Sequence, residues 1–332
     1  MFSAAEFTDS LFSPGLSFET HALALFRHQY ANNPLYRRYT DLLGIVPEKL
    51  STAADIPFLP IGLFKTHAVQ TGTFTPALTF ESSRTTGSTP SRCLLRDPGL
   101  YERSFRTAFM QYYGAIEDYV VLGLLPSYLE RAHSSLVYMV NDFINNSGKS
   151  ESGFYLNEFD QLFDTLQSLE NRGQKTLLIG VTFALLDFAE QYQMKLRHTL
   201  VMETGGMKGR REEWTRSQVH ALLQQRLGVE AVHSEYGMTE LLSQAYSKGQ
   251  GRFRTPPWMR VTLRDMDDPL SQVRASENQP AKGLINVTDL ANLDSCAFIA
   301  TDDLGISYAD GSFEVRGRRD QSDLRGCSLM AV

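Results

Sequence analysis

Between residues 119 and 236 the chain alternates short apolar runs with segments of helical periodicity. YVVLGLL (119–125) is a continuous apolar run, the pattern of a strand buried on both faces. Ser127 stands three residues before Glu130, a capping-box spacing, and opens a helix. Leu129, Ala132, Leu136, Val140 and Phe143 recur down its inner face until NNSG (145–148) stops it. TLLIGV (176–181) and TLVMET (199–204) read as strands, with ALLDFAEQY (184–192) as the helix between them. After Gly205 and Gly206 comes another helix, with Trp214, Val219, Leu222 and Leu223 inward and Gly228 at its stop. VEAVHSEY (229–236) closes the series as a strand. This alternation predicts an α/β fold, a mainly parallel sheet covered by helices.

The flanks differ. Residues 1–50 read as helical, with the aromatic and aliphatic residues Phe18, Ala22, Leu25, Phe26 and Tyr30 at mixed spacing, and PFLPIGLF (57–64) as a proline-bounded extended piece. Past residue 255, WMRVTLRD, KGLINVTDL, CAFIATDD and SFEVRGRRD are strand-like pieces between Pro, Gly, Asn and Asp turns. They predict a small β-rich, barrel-like lobe. The expected division is therefore 1–255, helical start and α/β subdomains, and 256–332, a β-rich lobe with its tail.

Composition narrows the function classes. The 332 residues are 42% hydrophobic and 21% charged, enough apolar material for a sizeable core. A net charge of −6 without a long basic run argues against nucleic acid or an anionic membrane as partner. Three cysteines without CxxC spacing argue against a disulfide framework and a structural zinc site. The N-terminus lacks a basic segment followed by an apolar run, and no stretch approaches the ~20 apolar residues of a membrane span. A soluble, cytoplasmic protein is expected.

Chemistry concentrates in a few places. ESSRTTGSTPSR (81–92) carries seven hydroxyl side chains and one glycine, with Arg84 and Arg92 beside them. Backbone N–H groups, hydroxyls and guanidinium groups suit a phosphate, while an exposed Ser/Thr loop is the plainer alternative. Ligands of open parallel sheets bind beyond the carboxyl ends of the strands. Gly205 and Gly206 fall at one such end and EYGMTE (235–240) at another. The latter offers a ring (Tyr236), a tight turn (Gly237), a hydroxyl (Thr239) and a carboxylate (Glu240) suited to a stacked base, a phosphate and Mg²⁺. TDDLG (301–305) sets two carboxylates ahead of an expected turn, and GRRD (317–320) adds a guanidinium. Singly, each has an ordinary structural alternative: a core tyrosine, a capping glutamate, a hairpin turn. His233 reads as a satisfied structural histidine, with an acyl pocket as the other reading.

In order and spacing these motifs resemble those of the adenylate-forming superfamily of acyl-CoA synthetases, nonribosomal-peptide adenylation domains and luciferases. TTGST (85–89), GG (205–206), YGMTE (236–240), TDD (301–303) and GRRD (317–320) follow one another as that superfamily's motifs do. The resemblance implies ATP and Mg²⁺. It implies that Thr85, Thr86, Gly87, Ser88 and Thr89 clamp the phosphates, that Gly205 and Gly206 line the adenine, and that Tyr236 stacks on it beside Gly237. It further implies that Thr239 meets the α-phosphate, Glu240 holds Mg²⁺, Asp303 takes the ribose hydroxyls and Arg318 contacts the nucleotide. Three departures stand out. No glycine separates Thr89 from Pro90 and Arg92 stands where a lysine is usual; Asp302 replaces the glycine of TGD; and the sequence stops twelve residues past Asp320. At that aspartate the superfamily's small C-terminal domain begins, so that domain and its catalytic lysine are expected to be missing.

LLPSYLERAHSSLVYM (124–139), PIGLFKTH (60–67), VMETGGMKGRREEW (201–214) and RGCSLM (325–330) are similar to the bacterial acyl-protein synthetase of the luminescence fatty-acid reductase complex. This resemblance implies a carboxylic, fatty, acid activated as acyl-AMP and then moved to a cysteine near the C-terminus, where Cys327 matches, for delivery to an acyl reductase. Arg325 and Arg318 as neighbours would lower the Cys327 pKa and favour the nucleophilic thiolate. On residue chemistry alone an inert buried thiol competes with that role. Two other functions stay open: an acid–thiol ligase using coenzyme A or a carrier protein with a domain in trans, and a nucleotide- or partner-binding protein without turnover.

Overall fold

The computed structural model describes residues 2–82, 89–125, 133–206 and 214–319. The chain divides into two compact units, one of residues 1–77, 91–96 and 257–332, the other of 78–90 and 97–256.

The chain begins with α1 (Ala4–Leu11), α2 (Phe18–Asn32), α3 (Pro34–Leu42), β1 (Leu59–Pro60) and α4 (Leu63–Thr66). Then come β2 (Leu78–Glu81) and β3 (Arg92–Leu95). The second unit continues through α5 (Pro98–Tyr113), β4 (Val120–Leu124), α6 (Ser135–Ser147), β5 (Gly153–Tyr155), α7 (Phe159–Asn171) and β6 (Thr176–Gly180). It ends with α8 (Thr182–Gln191), β7 (Thr199–Glu203), α9 (Arg216–Leu227), β8 (His233–Tyr236), β9 (Ala245–Ser247) and β10 (Phe253–Arg254). The last stretch holds β11 (Met259–Arg264), β12 (Gln272–Val273), β13 (Ala281–Asp289), β14 (Phe298–Ser307) and β15 (Phe313–Arg318).

In the second unit the strands lie in the order β10-β9-β8-β7-β6-β4-β5. Those from β5 to β8 are mutually parallel, and β9 and β10 complete the sheet antiparallel. β4 and β6 are buried at every position, as their unbroken apolar sequences require. Helices cover both faces. Gly123 meets Val140 of α6 and Phe154 of β5 on one face, whereas Gly180, in register with the next residue Leu124, meets Leu185 of α8 on the other. Phe109 of α5 packs on Phe143 and Tyr246 on the α6 face. The helix over the capping-box candidate differs from expectation: its described part starts at Ser135, with the Ser134 hydroxyl accepting from Val137 N, while Ser127 and Glu130 lie outside the described residues. Gly148 and Gly228 end α6 and α9 in left-handed conformation as anticipated.

In the first unit β12-β11-β13-β14-β15 form an antiparallel sheet, and β1 pairs in parallel with β14 at Ile299 and Ala300. The N-terminal helices join it through a buried polar anchor. The Gln29 amide donates to the Asn292 and Leu293 carbonyls at 2.9 and 3.1 Å and accepts from Ala297 N at 2.9 Å. Phe26 and Tyr36 close on Phe298 around it. Buried polar groups persist where they are satisfied in this way. TDDLG corrects its expectation: Thr301–Gly305 is the middle of β14, not the approach to a turn, because β13 and β15 pair along it on both sides.

Gly123 lies under α6 beside Phe154 of the paired strand β5; a Cβ there would lie 2.8 Å from Phe154 and 2.9 Å from Val140. We expect Gly123→Val to lower stability by about 1–3 kcal/mol through overpacking, read as a lower urea midpoint with an unchanged slope.

Candidate functional site

β7 and β8 are parallel neighbours, with Met202 opposite His233 and Glu203 opposite Ser234. Their carboxyl ends therefore release two motifs side by side: Gly205–Gly206 from β7 and Gly237–Glu240 from β8. In the first turn both glycines have positive φ, +75° and +91°, a conformation that excludes most other residues. Among the described residues, none but its chain neighbours lies within 4 Å of a Cβ built on Gly205. The first N–H groups of α8 hold the turn from behind: Thr182 N donates to Gly205 O at 2.9 Å and Phe183 N to Gly206 O at 3.4 Å.

After β8 the chain turns at once. Leu241 N donates to Met238 O at 3.1 Å, which makes Thr239 and Glu240 the two central residues of a tight turn. Tyr236, the last strand residue, is buried with its ring 5.9 Å from that of Phe253. Glu240 is also buried, and Thr239 is partly exposed.

Beneath the glycine turn lies a buried cluster that the motif reading missed. Glu203 closes β7, and its Oε2 accepts from Gly205 N at 2.7 Å and from the Thr182 hydroxyl at 3.1 Å. Its Oε1 accepts from Arg216 Nε at 3.1 Å and lies 3.6 Å from His220 Nε2. His220 in turn is 3.4 Å from the Ser234 hydroxyl. Burial pushes the Glu203 carboxyl up, but His220, Arg216, Ser234 and Gly205 together outweigh it and hold the pKa down to about 2. The signal for this cluster was present: a glutamate directly after the apolar run 200–202 at the end of a largely buried strand needs donors.

Glu235 has the opposite fate. Half-buried on the other face of β8, across from Tyr246, it is pushed up to about 8 by burial and by the charge of Glu203. The Tyr246 hydroxyl and Gln244 Oε1, both buried, have no hydrogen-bond partner among the described residues. His233, 3.3 Å from the Tyr113 hydroxyl, is held down to about 4 by burial, then by Lys248 and His220, so the ring is neutral near pH 7.

In the first unit Asp303 and Arg318 face each other across β14 and β15, with Arg318 Nε donating to Asp303 Oδ1 at 3.0 Å. Asp303 is buried and Arg318 half exposed. Asp303 N donates to Thr301 Oγ1 at 3.1 Å, and Thr301 Oγ1 donates to Ile285 O at 2.8 Å. The buried Arg264 guanidinium binds Ile285 O, Asn286 Oδ1 and Thr301 O behind them. Thr89 is exposed, while Thr85, Thr86, Gly87, Ser88 and Cys327 lie outside the described residues. Cys93 and Cys296 are buried, and burial pushes the Cys296 thiol up to about 12. Among the described residues no helix is long and apolar enough to cross a membrane, and no three His, Cys, Asp or Glu side chains gather around a metal position.

The model of one protein family, the acyl-protein synthetases described as LuxE, matches residues 2–331. The chain belongs to the LuxE acyl-protein synthetase family. The fold of this LuxE-family chain is that of the large domain of adenylate-forming enzymes. It is similar to ATP-bound MatB from Rhodopseudomonas palustris, with a TM-score of 0.52 at 18% identity over 72% of this chain and 47% of that one. A long-chain-fatty-acid–CoA ligase from Archaeoglobus fulgidus gives 0.52 at 13% identity over 77% and 54%. A double mutant of o-succinylbenzoate CoA synthetase from Bacillus subtilis gives 0.51 at 17% over 74% and 49%. The LuxE-family chain thus spans about half the length of these structures. No curated protein sequence matches it.

The Glu235 shift has a sign that can be tested. An ordinary glutamate titrates near about 4.3, so the folded LuxE-family chain holds a proton on Glu235 that the unfolded chain gives up. Stability from this carboxyl is complete below that value and is lost as pH rises toward about 8. We expect the urea midpoint to fall between pH 5 and 8 and Glu235→Gln to flatten that fall; an unchanged slope in the variant would remove Glu235 as its cause.

Proposed function

We propose that this chain joins a carboxylic acid to ATP, releases pyrophosphate, and carries the acyl group as a thioester on Cys327 for delivery to a partner such as an acyl reductase. The observation that carries the reading is the pairing of β7 with β8, whose carboxyl ends bring the glycine turn and the Tyr236–Glu240 turn together. Family membership supports acid activation and acyl transfer in general terms.

In this reading the substrate carboxylate oxygen attacks the α-phosphorus of ATP, the α–β bridging P–O bond breaks, and pyrophosphate leaves. Gly205 and Gly206 line the adenine, whose flat face needs a backbone without side chains. Tyr236 stacks on the base and Gly237 opens the turn, Thr239 donates to the α-phosphate, Asp303 accepts from the ribose hydroxyls, and Arg318 contacts the nucleotide. The hydroxyl loop Thr85 to Thr89 holds the remaining phosphates. Glu240 suits Mg²⁺: the ion binds through one or two carboxylates with substrate phosphates rather than in an all-protein cage, and one carboxylate beside one hydroxyl fits that donor set. Bound there, Mg²⁺ would offset charge on the leaving pyrophosphate.

In the second step the Cys327 thiolate attacks the acyl carbonyl and AMP leaves. Cys93 and Cys296 are poor candidates for this step, since both are buried and the Cys296 thiol is kept protonated.

Two experiments test the two steps. Glu240→Gln should lose acid-dependent pyrophosphate release while its circular dichroism stays that of the parent; an unchanged rate takes Glu240 out of the metal role. Incubated with ATP, Mg²⁺ and each of a series of labelled fatty acids, the parent should gain an acyl group that hydroxylamine removes. Cys327→Ser should gain none yet still form acyl-AMP, whereas Cys93→Ser and Cys296→Ser should label normally. A Cys327→Ser protein labelled as well as the parent would point to a diffusible thiol as acceptor.

A further inference from the structure

We propose that Glu203 is the positioning residue of the nucleotide site, fixing both the Gly205–Gly206 turn and the ring of Tyr236 from beneath. The proposal rests on the reading above in which those residues hold the adenine. Glu203 is itself buried, and its two oxygens divide the work.

Oε2 takes the Gly205 N–H at 2.7 Å and the Thr182 hydroxyl at 3.1 Å, tying the turn to the start of α8. A pair of glycines has more backbone freedom to lose than any other dipeptide, so an unclamped turn would spend much of its time away from the conformation a base can lie against. Oε1 takes Arg216 Nε at 3.1 Å. The Arg216 guanidinium lies over the Phe253 ring at 5.1 Å, and that ring is 5.9 Å from Tyr236. One buried charge is thus connected to both sides of the adenine position. Among the described residues no atom beyond its chain neighbours lies within 4 Å of a Cβ built on Gly205, whereas its N–H is already engaged by Glu203, so Glu203 acts through the turn rather than on the ligand. A glutamine keeps the shape but loses the charge and turns a donor amide toward groups that are themselves donors.

The test uses the full chain with ATP and Mg²⁺ as ligand, titrated calorimetrically at a temperature where each variant is folded. Hydrogen bonds to a charged group contribute about 1.5–3 kcal/mol each, so Glu203→Gln should weaken ATP binding by roughly 10- to 100-fold. With hexadecanoic acid as substrate, the KM for ATP should rise by a similar factor while kcat and the KM for acid move less than about twofold, the split expected of lost uniform binding. Thr182→Val, which removes one bond to the same carboxylate, should weaken ATP binding to a smaller but measurable extent. A Glu203→Gln protein with a lowered melting temperature and parental ATP affinity overturns the proposal, since Glu203 then serves stability alone. Should that variant lack a cooperative unfolding transition, Thr182→Val decides, and unchanged ATP affinity there also overturns it. Tyr236→Ala separates the two readings. Stacking on a base is worth about 1–3 kcal/mol, so weakened ATP binding in Tyr236→Ala beside parental binding in the other two variants rejects only the clamp. Parental binding in all three rejects the adenine site and the clamp with it.

Discussion

The second unit is organised around a buried carboxylate. Glu203 ends a strand that is apolar from Leu200 to Met202, in a position where an unpaired charge would be very costly. It is retained because donors from four segments converge on it: Thr182 at the start of α8, Gly205 after β7, Arg216 and His220 on α9, and Ser234 on β8. The constraint runs both ways. The charge requires those segments to meet at one point, and their meeting sets the course of the chain as it leaves β7 and β8.

The neighbouring carboxyl shows the cost of the arrangement. Glu235 lies near enough to Glu203 to feel its charge, without a comparable set of donors around it, and it holds its proton well above the usual range. Two carboxyls in one region are thus driven apart by their surroundings, one ionised under all ordinary conditions and the other neutral over most of them.

Periodicity and turn chemistry made the strands β4, β6, β7 and β8 and the helices α6, α8 and α9 legible, because continuous apolar runs and glycine stops are local signals. The four strand-like pieces after 255 were legible for the same reason, each falling on one of β11, β13, β14 and β15. Three features were not. The grouping of residues 1–77 with the β-rich stretch depends on Gln29 reaching the carbonyls of Asn292 and Leu293, a contact across more than 260 positions that no local pattern records. TDDLG carries turn-forming residues, yet pairing with β13 and β15 overrides that propensity. The motifs at Gly205, Tyr236 and Glu240 could be read because chemistry-bearing residues cluster there in sequence, whereas Glu203, Arg216, His220 and Ser234 are scattered over 32 positions and meet only in the fold.

That scattering bears on how the glycine turn can recognise anything. Three of its polar groups are already engaged by the protein: Gly205 N–H by Glu203, Gly205 O by Thr182 N, and Gly206 O by Phe183 N. What Gly205 turns outward is Cα–H surface, with no described residue beyond its chain neighbours within 4 Å of a Cβ built there. A surface of this kind selects by flatness and closeness of approach rather than by donor and acceptor pattern. An aromatic heterocycle satisfies those demands, and a solvated sugar or phosphate does not. In the proposed function the polar part of recognition falls to the turn leaving β8, where Thr239 and Glu240 occupy the two central positions. In that reading the division of labour follows from which backbone groups of the glycine turn the buried carboxylate and the start of α8 have already used.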